Sequence, residues 1–325
     1  LFRSAMPSFT TDVFAPSPMY AIVCGPDGNK PRERVKWTED FFRGLAEYRQ
    51  PPINGYDLHF YNWNVDNDED TPTEFDEVGW NKVIAGCLEL EGILRDQWRL
   101  MNDGLALINE PEGALDSKLS HVDLIIGEWG NWHKPAFFAR PALKQQVTMR
   151  DAITTALTLD LLQRNCDKVS MACNAQTINV LNSLVLTEGE TTILTPNYDV
   201  FMMYQPHRDA IALDVPRSDP DDESVYVFAS KTADGKSLLV NLTNAHMNDA
   251  AEVMLAVPAG ARVEAMRELA SADPHDCNTT EETDLVRARS VDVADRVAVH
   301  AGAGATGEIT VRLAPTSVNT LRIAL

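Results

Sequence analysis

A chain of 325 residues with 44% apolar and 23% charged side chains exceeds the usual size of one hydrophobic core and predicts two globular domains. A net charge of −20 repels phosphate backbones and anionic lipid, which argues against nucleic acid or a membrane surface as partner and suits a neutral substrate. Five widely spaced cysteines (Cys24, Cys87, Cys166, Cys173 and Cys277) without a CxxC pattern predict free thiols rather than a disulfide or metal framework, and no apolar run reaches the ~18 residues of a membrane span.

In chain order, the first strand-like run is Met19–Gly25, almost continuously apolar, as in a strand buried on both faces. A helix is expected over Trp37–Tyr48, then a strand over Tyr56–Tyr61. The acidic run Asp66–Asp70 reads as a solvated loop rather than a calcium site. Val78–Arg99 carries Val83, Ile84, Cys87, Leu88, Ile93 and Leu94 at helical spacing. Val122–Trp129 is a second apolar strand. Helical spacing resumes in Gln146–Asn165, and a fourth strand is expected at Val169–Ala175.

Strand and helix thus alternate up to about Asp209, which predicts right-handed βαβ units and a parallel sheet. Four units make half of an eight-stranded barrel or one open doubly wound sheet. From about Ala210 onward the period changes to two. The expected strands are Ser224–Ala229, Ser237–Leu242, Ala251–Ala256, Arg262–Glu268, Arg296–His300, Glu308–Leu313 and Ser317–Ala324. They predict an antiparallel β-sandwich, with Ala270–Arg289 as a polar surface loop. The domain boundary is accordingly placed between 209 and 210.

Three strand ends carry groups capable of chemistry. In Leu124–Trp132 (LIIGEWGNW), Glu128 follows a buried-type strand, where an unpaired charge is costly and a packing role is uncommon. C-terminal strand ends form the active-site face of an α/β barrel. Trp129 and Trp132 flank the carboxylate and offer flat apolar faces suited to sugar C–H groups. A solvated glutamate opening a loop is the plainer reading. In Asp57–Trp63 (DLHFYNW), His59 and Tyr61 alternate with Leu58 and Phe60, so both point to one side of a strand. They face a barrel mouth or are satisfied core polar groups. Beyond the fourth strand, Asn174 and Gln176 can hydrogen-bond sugar hydroxyls, although Asn174 also suits a helix cap.

Other signals are weak. The seven histidines show no metal spacing, and nucleophile-elbow, Walker A and dinucleotide patterns are absent. No metal or cofactor is therefore expected. Cys173 has no neighbouring histidine and is expected in the core. Asn241-Leu242-Thr243 and Asn278-Thr279-Thr280 match the short glycosylation pattern.

These residues resemble the α-L-arabinofuranosidases of glycoside hydrolase family 51. The carrying segments are Ala21–Pro26, Asp57–Asn62, Leu124–Trp132, Gln145–Leu181 and Leu186–Ala210, about the first two-thirds of the chain. The resemblance implies a (β/α)8 TIM barrel, with strands five to eight in this chain, followed by a C-terminal β-sandwich of jelly-roll type. It implies that Glu128 is the strand-seven nucleophile. It also implies that Tyr61, with His59 beside it, contacts the arabinose, that Trp132 lines the pocket and that Gln176 reaches it from strand eight.

The family's general acid/base is a Glu in an Asn-Glu pair ending strand four. The resemblance puts it ahead of Leu1, with Leu1–Thr11 as the tail of the following helix. Asn109-Glu110, the chain's one Asn-Glu pair, falls outside that position. The implied reaction is retaining hydrolysis of terminal α-L-arabinofuranosides on oligosaccharides or polysaccharides, by a homo-oligomer in the cytoplasm, with a secretion signal ahead of Leu1 left open. A non-catalytic carbohydrate-binding relative, and a barrel glycosidase acting on β-xylosides or β-glucans, are the alternatives.

Overall fold

The computed structural model describes residues 22–46, 53–66, 69–108, 122–215, 224–300 and 305–325. The chain divides into two compact units: the first lies within Leu1–Tyr61, Glu89–Trp129 and Asn165–Asn174, the second within Asn62–Leu88, Gly130–Arg164 and Ala175–Leu325.

The first unit is built on a four-stranded sheet of β1 (Ile22–Val23), β2 (Gly55–Asn64), β3 (Asp123–His133) and β4 (Val169–Asn174), in that order. β1 runs parallel to β2, and β3 parallel to β4. Helices α1 (Pro31–Ala46) and α2 (Glu77–Ile108) follow β1 and β2, and α3 (Met149–Arg164) precedes β4. The expected alternation of strand and helix is therefore present. Of the expected strand Met19–Gly25, Ile22–Val23 forms β1, and the part before Ile22 lies outside the described residues. So do Leu1–Thr11 and Asn109-Glu110.

α1 begins earlier than its apolar spacing suggests. Pro31 stands at its first position, Glu33 in its first turn and Arg43 in its last, an order that suits the helix dipole. The charged opening Pro31–Lys36 carries no apolar period, so the signal there is in the termini. Phe42, fully buried, meets Tyr56 of β2 edge-on at 5.1 Å between ring centroids. A Cβ on Gly104 of α2 would lie 2.3 Å from that of Phe42, so a glycine is what lets α2 approach α1 here. Tyr56 donates to Thr38, and Thr38 to Gln97, so the buried polar groups of this packing are joined to one another.

β4 is exposed along most of its length. It is the last strand of the sheet, and Ser170, Met171, Ala172 and Cys173 are exposed. Cys173, expected in the core, is thus at the surface, because the core position depends on a sheet neighbour that its own sequence does not encode.

The second unit contains the hairpin β5 (Val185–Glu188) and β6 (Thr191–Leu194), turned at Gly189 with φ +58°, then helix α4 (Pro196–Tyr204). Two antiparallel sheets follow. One has six strands in the order β12 (Arg289–Val291), β11 (Arg262–Ala270), β15 (Ser317–Ala324), β9 (Ser237–Asn244), β8 (Val225–Lys231) and β7 (Ile211–Ala212). The other has three, β10 (Ala251–Pro258), β14 (Thr306–Leu313) and β13 (Val297–His300), and the short helix α5 (Val293–Arg296) precedes β13. Leu242, Val263, Met266, Leu321 and Ile323 of the larger sheet share a core with Val257, Ile309, Val311 and Leu313 of the smaller. This is the expected β-sandwich.

The period-two pattern did not show that the larger sheet is covered on its other face as well. Ala152, Ile153 and Ala156 of α3 and Val200 and Met203 of α4 form a second core with Ala245, Leu269 and Val318. Polar residues of β9 on that face, Asn241 and Thr243, are buried. Asn241 donates to Asp160 of α3 at 2.8 Å. The loop Ala270–Arg289 lacks regular structure up to β12, as expected, but Asn278 anchors it. The Asn278 carboxamide donates to Leu194 and Val286 and accepts from the Val286 N–H. Asn241 and Asn278, the two glycosylation matches, both have buried side chains.

Candidate active site

Strand β2 reads Gly55–Asn64, and its alternation puts Asp57, His59 and Tyr61 on one face. β3 brings Glu128 to them. Tyr61 Oη donates to Glu128 Oε2 at 2.6 Å, and His59 Nδ1 lies 3.5 Å from the same oxygen. His59 Nε2 meets Asp57 Oδ2 at 3.1 Å, and Asp57 Oδ1 accepts the Gly127 N–H at 2.8 Å. The Glu128 side chain is 39% exposed and that of His59 36%, whereas Asp57 is withdrawn at 13%. The Glu128 carboxylate is thus partly open to solvent and contacted on Oε2 by both Tyr61 and His59. Burial, and then the Glu128 charge beside it, hold the Tyr61 phenol far above its usual range, so Tyr61 stays a donor throughout the working pH range.

The backbone ahead of β2 prepares this face. Gly28 N–H donates to the His59 carbonyl at 2.7 Å, continuing the pairing beyond β1. The Asn29 carboxamide then clamps Tyr61, accepting its N–H at 2.9 Å and donating to its carbonyl. A Cβ on Gly25 would stand 1.9 Å from the Asp57 carbonyl oxygen and one on Gly28 2.5 Å from that of His59, so both positions require glycine.

Residues 127–307 match the family described as Alpha-L-arabinofuranosidase C-terminal domain. The chain belongs to this family. It is 29% identical over 266 residues to an intracellular exo-alpha-L-arabinofuranosidase of Bacteroides ovatus, a match covering 78% of this chain and 48% of that protein. The chain thus spans about half the length of this curated relative. Its structure superposes on the family-51 arabinofuranosidase of Xanthomonas axonopodis pv. citri with a TM-score of 0.77 at 24% identity, over 95% of this chain and 59% of that one. A Thermotoga maritima alpha-L-arabinofuranosidase, solved as an arabinose complex, gives 0.69 at 21% identity over 97% and 59%. These likenesses show the fold, a TIM barrel followed by a C-terminal domain.

Within this arabinofuranosidase-family chain, His59, Tyr61 and Glu128 come together. Trp129 does not serve as the expected sugar platform: it is 2% exposed, because alternation along β3 turns it away from the face that carries Glu128 and into the core. Asn174 ends β4 in register with Trp129. Trp132 and Gln176 belong to the second unit. There Trp132 packs with Trp63 and Phe137 at ring-centroid distances of 5.2 and 5.0 Å, and Gln176 is exposed on the turn after β4.

Two residues escaped the sequence reading. Asp57 had a signal, the i, i+2, i+4 series with His59 and Tyr61 on a strand. Asn29 had none, since its role depends on where Gly25–Asn29 lies beside β2. Among the described residues no group of three or more candidate metal ligands comes together, and no helix is long and apolar enough to cross a membrane.

Proposed function

We propose that this chain is the nucleophile-bearing portion of a retaining α-L-arabinofuranosidase and that Glu128 is the nucleophile. The carrying observation is the half-exposed Glu128 carboxylate, held on Oε2 by Tyr61 with His59 beside it. A Glu128 oxygen attacks the anomeric carbon as the bond to the leaving oxygen breaks, and the leaving oxygen takes a proton from the acid/base. Water then cleaves the glycosyl ester, giving its proton to the same acid/base and restoring Glu128. A retaining pair of carboxylates stands ~5–5.5 Å apart. The partner carboxylate is a Glu outside these residues.

The naming of the Bacteroides ovatus relative as an exo-alpha-L-arabinofuranosidase supports terminal non-reducing arabinofuranosyl groups of oligosaccharides or polysaccharides as substrate. The exposed outer strand β4 supports assigning β1 to β4 to barrel strands five to eight, completed by further strands. The reading places the barrel portion in residues 1–209 and the β-sandwich in 210–325, and makes the enzyme a cytoplasmic homo-oligomer.

The test is turnover of a panel of nitrophenyl glycosides by the full-length protein and its Glu128→Gln variant. Arabinofuranoside turnover falling ~10⁴-fold or more in the variant is expected. Unchanged turnover removes the nucleophile role. Binding without hydrolysis in the parent protein favours a carbohydrate-binding relative, and preference for β-xylosides or β-glucans reassigns the sugar.

A further inference from the structure

We infer that Asp57 is a positioning residue that sets Glu128 from two directions at once, an inference resting on the reading of Glu128 as nucleophile. Its two oxygens are divided between the two strands. Oδ1 takes the Gly127 N–H, the peptide immediately before Glu128 on β3. Oδ2 takes the Nε2 proton of His59 on β2. That second bond turns the imidazole so that Nδ1, at 3.5 Å, is the atom that meets Glu128 Oε2. One carboxylate therefore fixes both the backbone from which Glu128 springs and the ring beside its side chain.

The site is built for that carboxylate. A Cβ on Gly127 would lie 2.5 Å from Asp57 Oδ1 and 2.7 Å from Oδ2, so only a glycine admits Asp57 at this place. The glycine before Glu128, with a backbone φ outside the left-handed range, is explained by this approach rather than by a turn. Asp57 is also less exposed than His59 or Glu128.

Two donors, the Gly127 N–H and the His59 ring, thus depend on the two oxygens of one carboxylate. Asparagine at position 57 has one acceptor oxygen for two donors, so either Gly127 N–H or His59 Nε2–H loses its partner.

The experiment compares Asp57→Asn, His59→Gln and the double variant in the full-length protein on an activated aryl arabinofuranoside, with thermal melting as the control for folding. Removing partners that orient a reacting group costs ~10–100-fold in related settings. The expectation is that kcat falls by that factor in Asp57→Asn while KM stays within ~2-fold of the parent value. In the double variant the loss is smaller than the product of the two single losses, because part of what Asp57 does passes through His59. An Asp57→Asn enzyme with parental kcat overturns the inference. So do a loss confined to KM and strictly multiplicative losses. If Asp57→Asn fails to fold, Asp57→Ser, which leaves room for a water at Gly127 N–H, replaces it. Digestion and mass analysis of the trapped glycosyl-enzyme separate the two levels: an adduct on Glu128 with parental kcat in Asp57→Asn overturns the positioning role alone, whereas an adduct elsewhere overturns the nucleophile reading and this inference with it.

Discussion

Asp160 gives the second unit a pH-dependent stability whose sign can be derived. It lies on α3, 1% exposed, facing β9, with Oδ1 accepting from Asn241 Nδ2 at 2.8 Å. Burial raises its pKa from 3.8 to about 7; the Asn241 hydrogen bond, the Arg164 charge and the Tyr204 hydroxyl pull the other way and are outweighed. The folded state thus retains a proton at pH 5 to 6 that the unfolded chain has already released. Stability from this group is fully present below about pH 4, falls as pH rises, and is gone above about pH 7. For a folded pKa of about 7 against 3.8, linkage gives a loss of about 3 kcal/mol between pH 5 and pH 8. Asp160→Asn keeps the shape and the acceptor for Asn241 but cannot ionise. Urea unfolding of both proteins at pH 5 and pH 8 isolates this group from the other carboxylates, which are common to both. The variant is expected to gain about 3 kcal/mol on the parent as pH rises from 5 to 8. Parallel pH profiles, or a variant that loses ground at pH 8, would refute the argument that the interior holds Asp160 neutral.

Two further substitutions test the local accounts. Tyr61→Phe removes the 2.6 Å bond to Glu128. A hydrogen bond to a charged group contributes ~1.5–3 kcal/mol, so kcat/KM for an arabinofuranoside should fall roughly 10- to 100-fold with melting temperature little changed; a loss under twofold would deny Tyr61 a hold on the nucleophile. Asn278→Ala strands the Leu194 and Val286 carbonyls and the Val286 N–H, all met by that one side chain. Unsatisfied buried groups of this kind cost ~1–3 kcal/mol each, so denaturant unfolding should show a destabilisation of ~3 kcal/mol, and a value near zero would return Ala270–Arg289 to a merely solvated loop.

The site and its surroundings obey one rule: groups that act from a distance of two or three bonds are seated against glycine. Gly127 admits the Asp57 carboxylate, and Gly25 and Gly28 let the segment before Asn29 approach the Asp57 and His59 carbonyls of β2. Glu128, His59 and Tyr61 thereby rest on strand backbone rather than on loops, a placement that holds side chains in a fixed geometry.

By itself the sequence determined the alternation of strands and helices, the change of period near residue 210, and Glu128, His59 and Tyr61. Each depends on near-neighbour order: an apolar run that must be buried, two polar residues two apart on a strand, a carboxylate at a strand's end. Tertiary structure alone decided the rest. Trp129 neighbours Glu128 in the chain, yet the pleat sends it into the core. Cys173 and Met171 look like core residues, yet β4 closes the sheet and exposes them. Asn29 holds Tyr61, thirty-two positions along the chain, and α3 buries Asn241 of β9 against Asp160. These outcomes depend on what comes to lie opposite each residue in space, and periodicity carries no record of it.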